Sequence, residues 1–547
     1  MRVSPNENGT TGRAHASFAG AAMMDTRSPK ITRREFARFL VDSAVVSLAV
    51  PLGALTGCAS RVLGLPSQLK PLVPSRDDAF VVAPGYTARE FIRWGDRLNA
   101  KERFGYNNDF VAFVKINETE AWMWVNHEYV VPGFVSGDWE LRRTKAQVDE
   151  EMKNVGGSLL RVRRENGRWT WRDPKERHRR LDAFTKIPFA GGVKIQDSAH
   201  AVGTLANCAG GVTPWGTFLS CEENTDQFFG DRKRGKRTYL FPKNDMGWSR
   251  HYDHPPEHYG WVVEITPEPF AAKKLVSLGR FAHESATVAR ARDGRCVVYS
   301  GDDDNDRCLY KFVSQDKDSL ERGTLYVANT ERGEWIALNK ENPALAHFKD
   351  DLEILTYARE AAIAAGGTPL DRPEDVEIHP HTGAVFVSLT NNKPKGRPYG
   401  SILKLEAEGG DHASLRFSSQ NFLMGGEASG IACPDNLCFD EHGNLWVTTD
   451  ISGKDIGTPD YAVFGNNGLF VVPTTGSKAG KSVRIAQAPV DAELTGPCFA
   501  PDGKSLFVAV QHPGETSTNV QSATSHWPDG GQSLARPAIM EIMWTSL

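Results

Sequence analysis

One design recurs along the chain: a polar residue, a β-rich run, a tight turn, a second β-rich run and a polar cluster. The clearest copies are RPEDVEIHPHTGAVFVSLTNN, CPDNLCFDEHGNLWVTTD and TGPCFAPDGKSLFVAVQHPGE, turning at Gly383, Gly443 and Gly503, 60 residues apart. Upstream, HESATVARARDGRCVVYSGDDD turns at Gly294 and NCAGGVTPWGTFLSCEEN at Gly216, giving intervals of 89 and 78. A looser first copy is NNDFVAFVKINETEAWMWVNHE. Alternating apolar residues on both arms of a turn mark an antiparallel hairpin. An isolated hairpin cannot bury its faces, so a chain of them must stack. Six copies predict an all-β fold, a six-bladed β-propeller with short helical and loop insertions; an array of β-sandwiches is the structural alternative. The unequal intervals favour the propeller, which decorates its loops on one face. Residues 144–155, TKAQVDEEMKNV, and 350–365, DDLEILTYAREAAIAA, read as short helices in such insertions.

Composition agrees. Of 547 residues, 40% are hydrophobic and 24% charged, which excludes a disordered or collagen-like chain. Gly 51, Pro 31 and Trp 13 suit short strands and many turns rather than long helices. The formal net charge of −4 lacks the basic excess of a nucleic-acid binder, so no nucleic-acid partner is expected.

The first 30 residues are polar and aperiodic. Arg33 and Arg34 then precede an uncharged, weakly apolar stretch from Ser43 to Ser60 that contains Pro51 and Gly53. A membrane span wants about 20 strongly apolar residues, so a permanent span is the poorer reading. Paired arginines before such a segment look like a twin-arginine export signal. A chance dipeptide before a buried helix is the alternative. Leu55-Thr56-Gly57-Cys58 resembles a lipobox, with Cys58 as the acylated residue. Residues 1–58 are therefore read as a disordered N-terminus, signal and lipobox, and 59–547 as one propeller. A protein outside the cytoplasm, possessing or lacking a lipid anchor, follows from either cleavage. Seven cysteines remain after Cys58, and Cys296 with Cys308 could pair across a hairpin.

The repeat also predicts where chemistry sits. Innermost propeller strands line a central channel. The residues opening the first strand of each repeat are Asn108 with Asp109, Cys208, Glu284, Glu374, Asp435 and Thr495. These converge at one mouth. The second strands end in Asn126-His127-Glu128, Glu222-Glu223-Asn224, Asp302-Asp303-Asp304, Asn391-Asn392, Asp450 and His512, expected farther out or at a rim. Acidic residues meeting around one channel repel unless something positive lies between them. Oxygen-rich clusters with few histidines favour hard cations, calcium first. DDDND at 302–306 is no EF-hand loop, since its sixth position lacks Gly and its twelfth is Val313.

Several blocks carry a more specific resemblance. They are NCAGG (207–211), TPWGT (213–217), Glu222-Glu223, FGYNNDF (104–110), VNHEYV (125–130) and GRFAHE (279–284). GDDD…LYKFV (301–313), RPED (372–375), PDNLCFD (434–440), HPGE (512–515) and WPDG (527–530) follow in order. Together they resemble the PhoX-type alkaline phosphatases over about residues 80–545. The resemblance implies a twin-arginine-exported, six-bladed propeller with iron and calcium ions that hydrolyses phosphate monoesters. Carried over by motif, Cys208, Glu284 and Glu374 become iron-side ligands, some bridging to calcium. Glu222, Asp302 and Asp435 become calcium candidates, with Glu223, Asp303 and Asp304 as their neighbours. Arg372 would hold the phosphoryl oxygens, and Asn108 joins it as a candidate catalytic residue. His127, His283 and His512 are candidates for supporting hydrogen bonds. The expected cofactors are Fe3+ and calcium; the expected partners are a phosphate monoester and the twin-arginine machinery, for a monomer. A calcium-dependent lactonase or esterase propeller, and a non-catalytic propeller lipoprotein, are the competing readings.

Overall fold

Every hairpin anticipated from the alternating pattern forms, and each supplies the two inner strands of a blade. The computed structural model describes residues 69–545, apart from 141, 174 and 176. The N-terminal signal and lipobox readings lie outside the described residues. Blade 1 runs outward as Asn108–Lys115, Glu120–His127, Gly156–Glu165 and Arg168–Thr170. Blade 2 is Asn207–Val212, Phe218–Glu222, Val262–Thr266 and Ala271–Leu275. Blade 3 begins with His283–Arg290 and Cys296–Asp302, and blade 4 with Pro373–Ile378 and Val385–Leu389. Blade 5 begins with Pro434–Phe439 and Leu445–Thr449, and blade 6 with Glu493–Phe499 and Ser505–Gln511. The five turn glycines, Gly216, Gly294, Gly383, Gly443 and Gly503, all adopt φ between 64° and 88°. That region is open to glycine and strained for other residues, which explains the turn signal.

Blade 6 is completed from the other end of the chain. Its outer strand is Tyr86–Arg93, antiparallel to Ala538–Trp544, with Tyr86 opposite Trp544. The ring is thereby closed by hydrogen bonds between its two termini.

Six apolar clusters hold consecutive blades together. Trp124 and Leu159 of blade 1 pack with Phe218 and Val263 of blade 2. Leu219 and Val262 pack with Ala286 and Val298 of blade 3. Val297 and Tyr299 meet Val376 and Val387 of blade 4. Phe386 meets Leu437 and Val447 of blade 5, and Trp446 meets Leu494 and Val508 of blade 6. Phe507 of blade 6 closes onto Val111 and Met123 of blade 1. Both faces of each sheet are thus buried, which is what alternation on both arms of every hairpin requires.

The insertions behave as expected. Lys145–Asn154 is a helix opened by a reciprocal Thr144–Gln147 capping box. The second insertion forms two short helices, Asp351–Thr356 and Ala358–Ala365, broken at Tyr357. One expectation fails. Cys296 and Cys308 are both free thiols. The pairing runs from Val297 opposite Val313 to Gly301 opposite Leu309, so the two cysteines sit at opposite ends of that ladder.

Candidate metal centre

Each inner strand is interrupted near its start by a β-bulge. The ladders shift after Asn108, Asn207, Glu284, Pro373, Pro434 and Thr495. A bulge turns a side chain and frees a backbone amide. In three blades the preceding blade supplies the acceptor. Val376 N–H donates to Ser285 Oγ (3.1 Å), Leu437 N–H to Asp375 Oδ2 (2.7 Å) and Gly496 N–H to Asn436 Oδ1 (2.6 Å). Asn126 Nδ2 donates to the carbonyls of Cys208 and Ala209, at 2.6 and 2.8 Å. These links lock the bulges into one ring. Asn107, Ala206, Arg372 and Cys433, each just before an inner strand, take φ of 42–53°. For residues with a Cβ this conformation is costly and is found where function or packing over-determines it.

The bulges aim Asp109, Cys208, Glu284, Glu374 and Asp435 into one cavity of about 210 Å³, which Glu493 of blade 6 also lines. A second tier comes from the residue just past the last rung of the second strand in every blade but the fourth: Glu128, Glu223, Asp303, Asp450 and His512. With Glu515 of the HPGE block, ten carboxylates among the described residues share this cavity with one guanidinium, Arg372.

Three sequence candidates fall elsewhere. Asn108 occupies the last rung opposite His127, and its amide is buried outside the lining. The bulge gives the channel position to Asp109 instead. Glu222 occupies the last rung of blade 2 and points to Lys274, whose Nζ lies 2.6 Å from Oε1; it also accepts from the amides of Gly260 and Trp261. Asp302 likewise occupies a last rung and accepts the Arg359 guanidinium, with Nε at 2.8 Å. The alternation of a strand sends the next residue to the opposite side, so Glu223 and Asp303 line the cavity where Glu222 and Asp302 were expected. In blade 6, Thr495 donates to the Asn108 carbonyl while Glu493 faces the channel. Its bulge begins after Thr495, later in the strand than in blade 4 or 5, which shifts the count. His127 bonds Ser158 Oγ (2.7 Å) and His283 bonds Ser300 Oγ (3.0 Å), both in the blade walls.

Within the cavity, Arg372 grips Asp303 through Nε (2.8 Å) and Nη2 (2.7 Å), and Nη2 also meets Glu374 Oε1 at 2.7 Å. Its Nη1 lies 3.9 Å from Asp450. Cys208 Sγ donates to Asp109 Oδ2 at 3.2 Å. Gln511 Nε2 donates to both Asp109 (2.9 Å) and Glu128 (2.8 Å). His512 donates from Nδ1 to the Asp491 carbonyl (3.0 Å), leaving Nε2 toward Glu493 Oε1 at 3.1 Å.

Ligand atoms of Asp109, Glu128 and Cys208 all lie within 4.8 Å of one another, as do those of Cys208, Glu223 and Glu284. Cys208 Sγ is common to both groups. Both Glu284 oxygens and Asp109 Oδ1 are buried with no hydrogen-bond donor among the described residues. Burial first, then the neighbouring carboxylates, raises the Glu284, Glu223, Glu374 and Asp435 carboxyls well above their ordinary range. The Cys208 thiol is pushed up by burial and then by Asp109 and Glu284. Such a cluster ionises fully only around positive charge. The donor set fits metal cations: oxygen ligands for a hard divalent ion, and one thiolate for a transition metal.

Residues 67–514 match the family described as alkaline phosphatase PhoX. The chain belongs to that family. Like other members of the PhoX family, it is a phosphoric monoester hydrolase. A solved structure of Pseudomonas fluorescens PhoX with vanadate, a transition-state analogue, is 29% identical. It aligns over 87% of this chain and 98% of that chain, with a TM-score of 0.77. A gluconolactonase from Xanthomonas campestris, XC5397, aligns over 87% of this chain and 99% of that chain at 11% identity; its TM-score of 0.35 carries no argument. No curated protein matches the chain.

Proposed function

We propose that the chain releases inorganic phosphate from monoesters outside the cytoplasm, using ferric iron and calcium held in the channel-mouth cavity. The observation that carries this reading is the ligand set: ten carboxylates around about 210 Å³, with a single thiol common to both three-residue groups. Cys208, Glu284 and Glu374 would hold iron. Asp109, Glu128, Glu223, Asp303, Asp435, Asp450 and Glu493 offer the six to eight oxygens that calcium takes.

When bound, these cations supply the positive charge that a phosphoryl transition state needs on its equatorial oxygens. The chain's own residues do the positioning. Arg372 commits Nε and Nη2 to Asp303 and Glu374, which fixes the plane of its guanidinium. The two N–H groups of Nη1 remain to meet phosphoryl oxygens. Its positive φ of 53° aims the side chain, and the second strand of blade 3 backs it through Asp303. His512, fixed at Nδ1 by the Asp491 carbonyl, presents Nε2 as the position that can hold or pass a proton beside Glu493. Hydrolysis forms one bond from water oxygen to phosphorus and breaks the ester P–O bond. The leaving alcohol departs with a proton.

Exhaustive treatment with a calcium-selective chelator followed by desalting is expected to abolish hydrolysis of p-nitrophenyl phosphate, and added calcium to restore it. Full activity after chelation would remove the calcium assignment. No helix among the described residues is long and apolar enough to cross a membrane. In this reading export depends on Arg33 and Arg34, and membrane attachment on Cys58. Replacing both arginines with lysine is expected to leave the protein in the cytoplasm. An unchanged yield in the exported fraction would contradict a twin-arginine signal.

A further inference from the structure

A second cavity, of about 350 Å³, opens beside the metal centre between blades 2 and 3. It shares Glu223, Asn224, Asp303 and Arg372 with the first. An ester whose phosphoryl oxygens meet Arg372 therefore has this space for its alcohol. The size falls in the usual range for small-ligand sites, about 300–1,000 Å³. Its outer wall is built by insertions: Asp226 and Gln227 of the short helix Asp226–Phe229, Asn244 of the blade 2 loop, and Arg359 of the helix Ala358–Ala365.

The chemistry of this wall is selective. Its three arginines each face a carboxylate. Arg280 is paired with Asp231 at 2.8 Å, Arg359 with Asp302, and Arg372 with Asp303 and Glu374. Asp304 is paired with Arg307 at 3.3 Å. Of the three carboxylates that line this pocket alone, Asp226, Asp231 and Asp304, only half-buried Asp226 has no cation within 4.0 Å among the described residues. The single aromatic residue in the lining, Phe281, is buried and sandwiched by Tyr310, at 4.0 Å, and His283, at 3.7 Å. No ring face is left for a planar leaving group. Amides of Asn224, Gln227, Asn244 and Asn305 complete the lining.

We propose that this pocket receives the leaving alcohol, and that Asp226 selects an uncharged, hydroxyl-rich one by accepting a hydrogen bond from it. The proposal rests on the metal-centre reading above and adds a substrate class to it. A leaving group with a second phosphate faces the Asp226 carboxylate, so it is disfavoured. A hydroxyl bonded to a carboxylate is worth enough to shift specificity about tenfold or more, because its loss leaves a polar group without its partner.

The test uses the metal-loaded enzyme with three esters: sorbitol 6-phosphate, fructose 1,6-bisphosphate and p-nitrophenyl phosphate. Wild type is expected to favour the polyol monophosphate over the bisphosphate in kcat/KM. Asp226→Ala is expected to lower kcat/KM for sorbitol 6-phosphate about tenfold, through KM, and to leave p-nitrophenyl phosphate unchanged. Asp226→Asn, which keeps hydrogen bonding and removes charge, is expected to narrow the penalty on the bisphosphate. Equal losses on all three esters in both variants, or no change on any, would overturn the assignment while the phosphatase site stands. A wild type inactive on the aryl ester would overturn the metal-centre reading and this one together.

Discussion

Cys208→Ser is expected to lose bound iron, visible colour and more than about a hundredfold of phosphatase activity, since even groups that only orient a metal ligand cost 10–100-fold in affinity or activity. The reason lies in where the sulfur sits. Cys208 Sγ is the atom shared by the Asp109–Glu128 and Glu223–Glu284 groups, and Asn126 ties down its carbonyl. Without a cation, burial and the surrounding carboxylates hold the thiol protonated. A ferric ion reverses that balance, and a ferric thiolate absorbs in the visible. Serine keeps a hydrogen bond to Asp109 but offers no thiolate. Cys208→Ala should behave the same way. Cys296→Ser is the control, because that sulfur is buried in blade 3 and donates to the Lys317 carbonyl at 3.4 Å. An unchanged circular dichroism spectrum beside the lost iron and colour separates loss of the ligand from loss of the fold. A Cys208→Ser protein that stays coloured and active would remove sulfur from the site.

Arg372→Ala is expected to lower kcat/KM roughly a hundredfold or more, the equivalent of about 2–4 kcal/mol of transition-state stabilisation from a charged donor in a shielded site. Bound metal should be retained. Arg372 is the only guanidinium among the described residues that line this cavity, and it neutralises Asp303 and Glu374. Its removal leaves those oxygens more available to cations, not less. A loss of activity caused by lost metal would therefore contradict the assignment, as would a near wild-type rate. Arg372→Lys keeps the charge and loses the planar fork, so an intermediate rate is expected. Arginine already bears the cost of φ 53°, so alanine adds no backbone strain, and the melting temperature of both variants reports the loss of the ion pairs instead.

The hairpins were legible because two local signals coincide at each: a glycine with positive φ, and alternation that buries both faces against neighbouring blades. The closing strand Tyr86–Arg93 was not, because its partner Ala538–Trp544 lies at the other end of the sequence and the pairing leaves no local trace. The candidate cavity was legible to within one residue in five blades and two in blade 6, where Glu493 takes the place expected of Thr495. Counting from the turns places Cys208, Glu284, Glu374 and Asp435 in the channel, and the structure brings them together. The same count confuses Asn108 with Asp109, Glu222 with Glu223 and Asp302 with Asp303. Strand alternation gives parity within a ladder but does not say which rung is last, and one further residue changes sides. Two cues were present. Lys274 sits in a blade 2 strand as a buried partner for Glu222, and Arg359 sits in an insertion helix as a partner for Asp302. Both contacts span more than 50 residues, which a reading of local pattern does not connect.

The central claim is that iron and calcium occupy the cavity at the channel mouth, with Cys208 as a ligand. Anomalous diffraction from crystals of the exported protein, recorded on both sides of the iron absorption edge, tests it most directly. The account predicts an iron peak within bonding distance of Cys208 Sγ, about 2.3 Å as for other metal–thiolate bonds, with weaker calcium signal among the surrounding carboxylates. A fully active crystal preparation with no iron peak near Cys208 would contradict it.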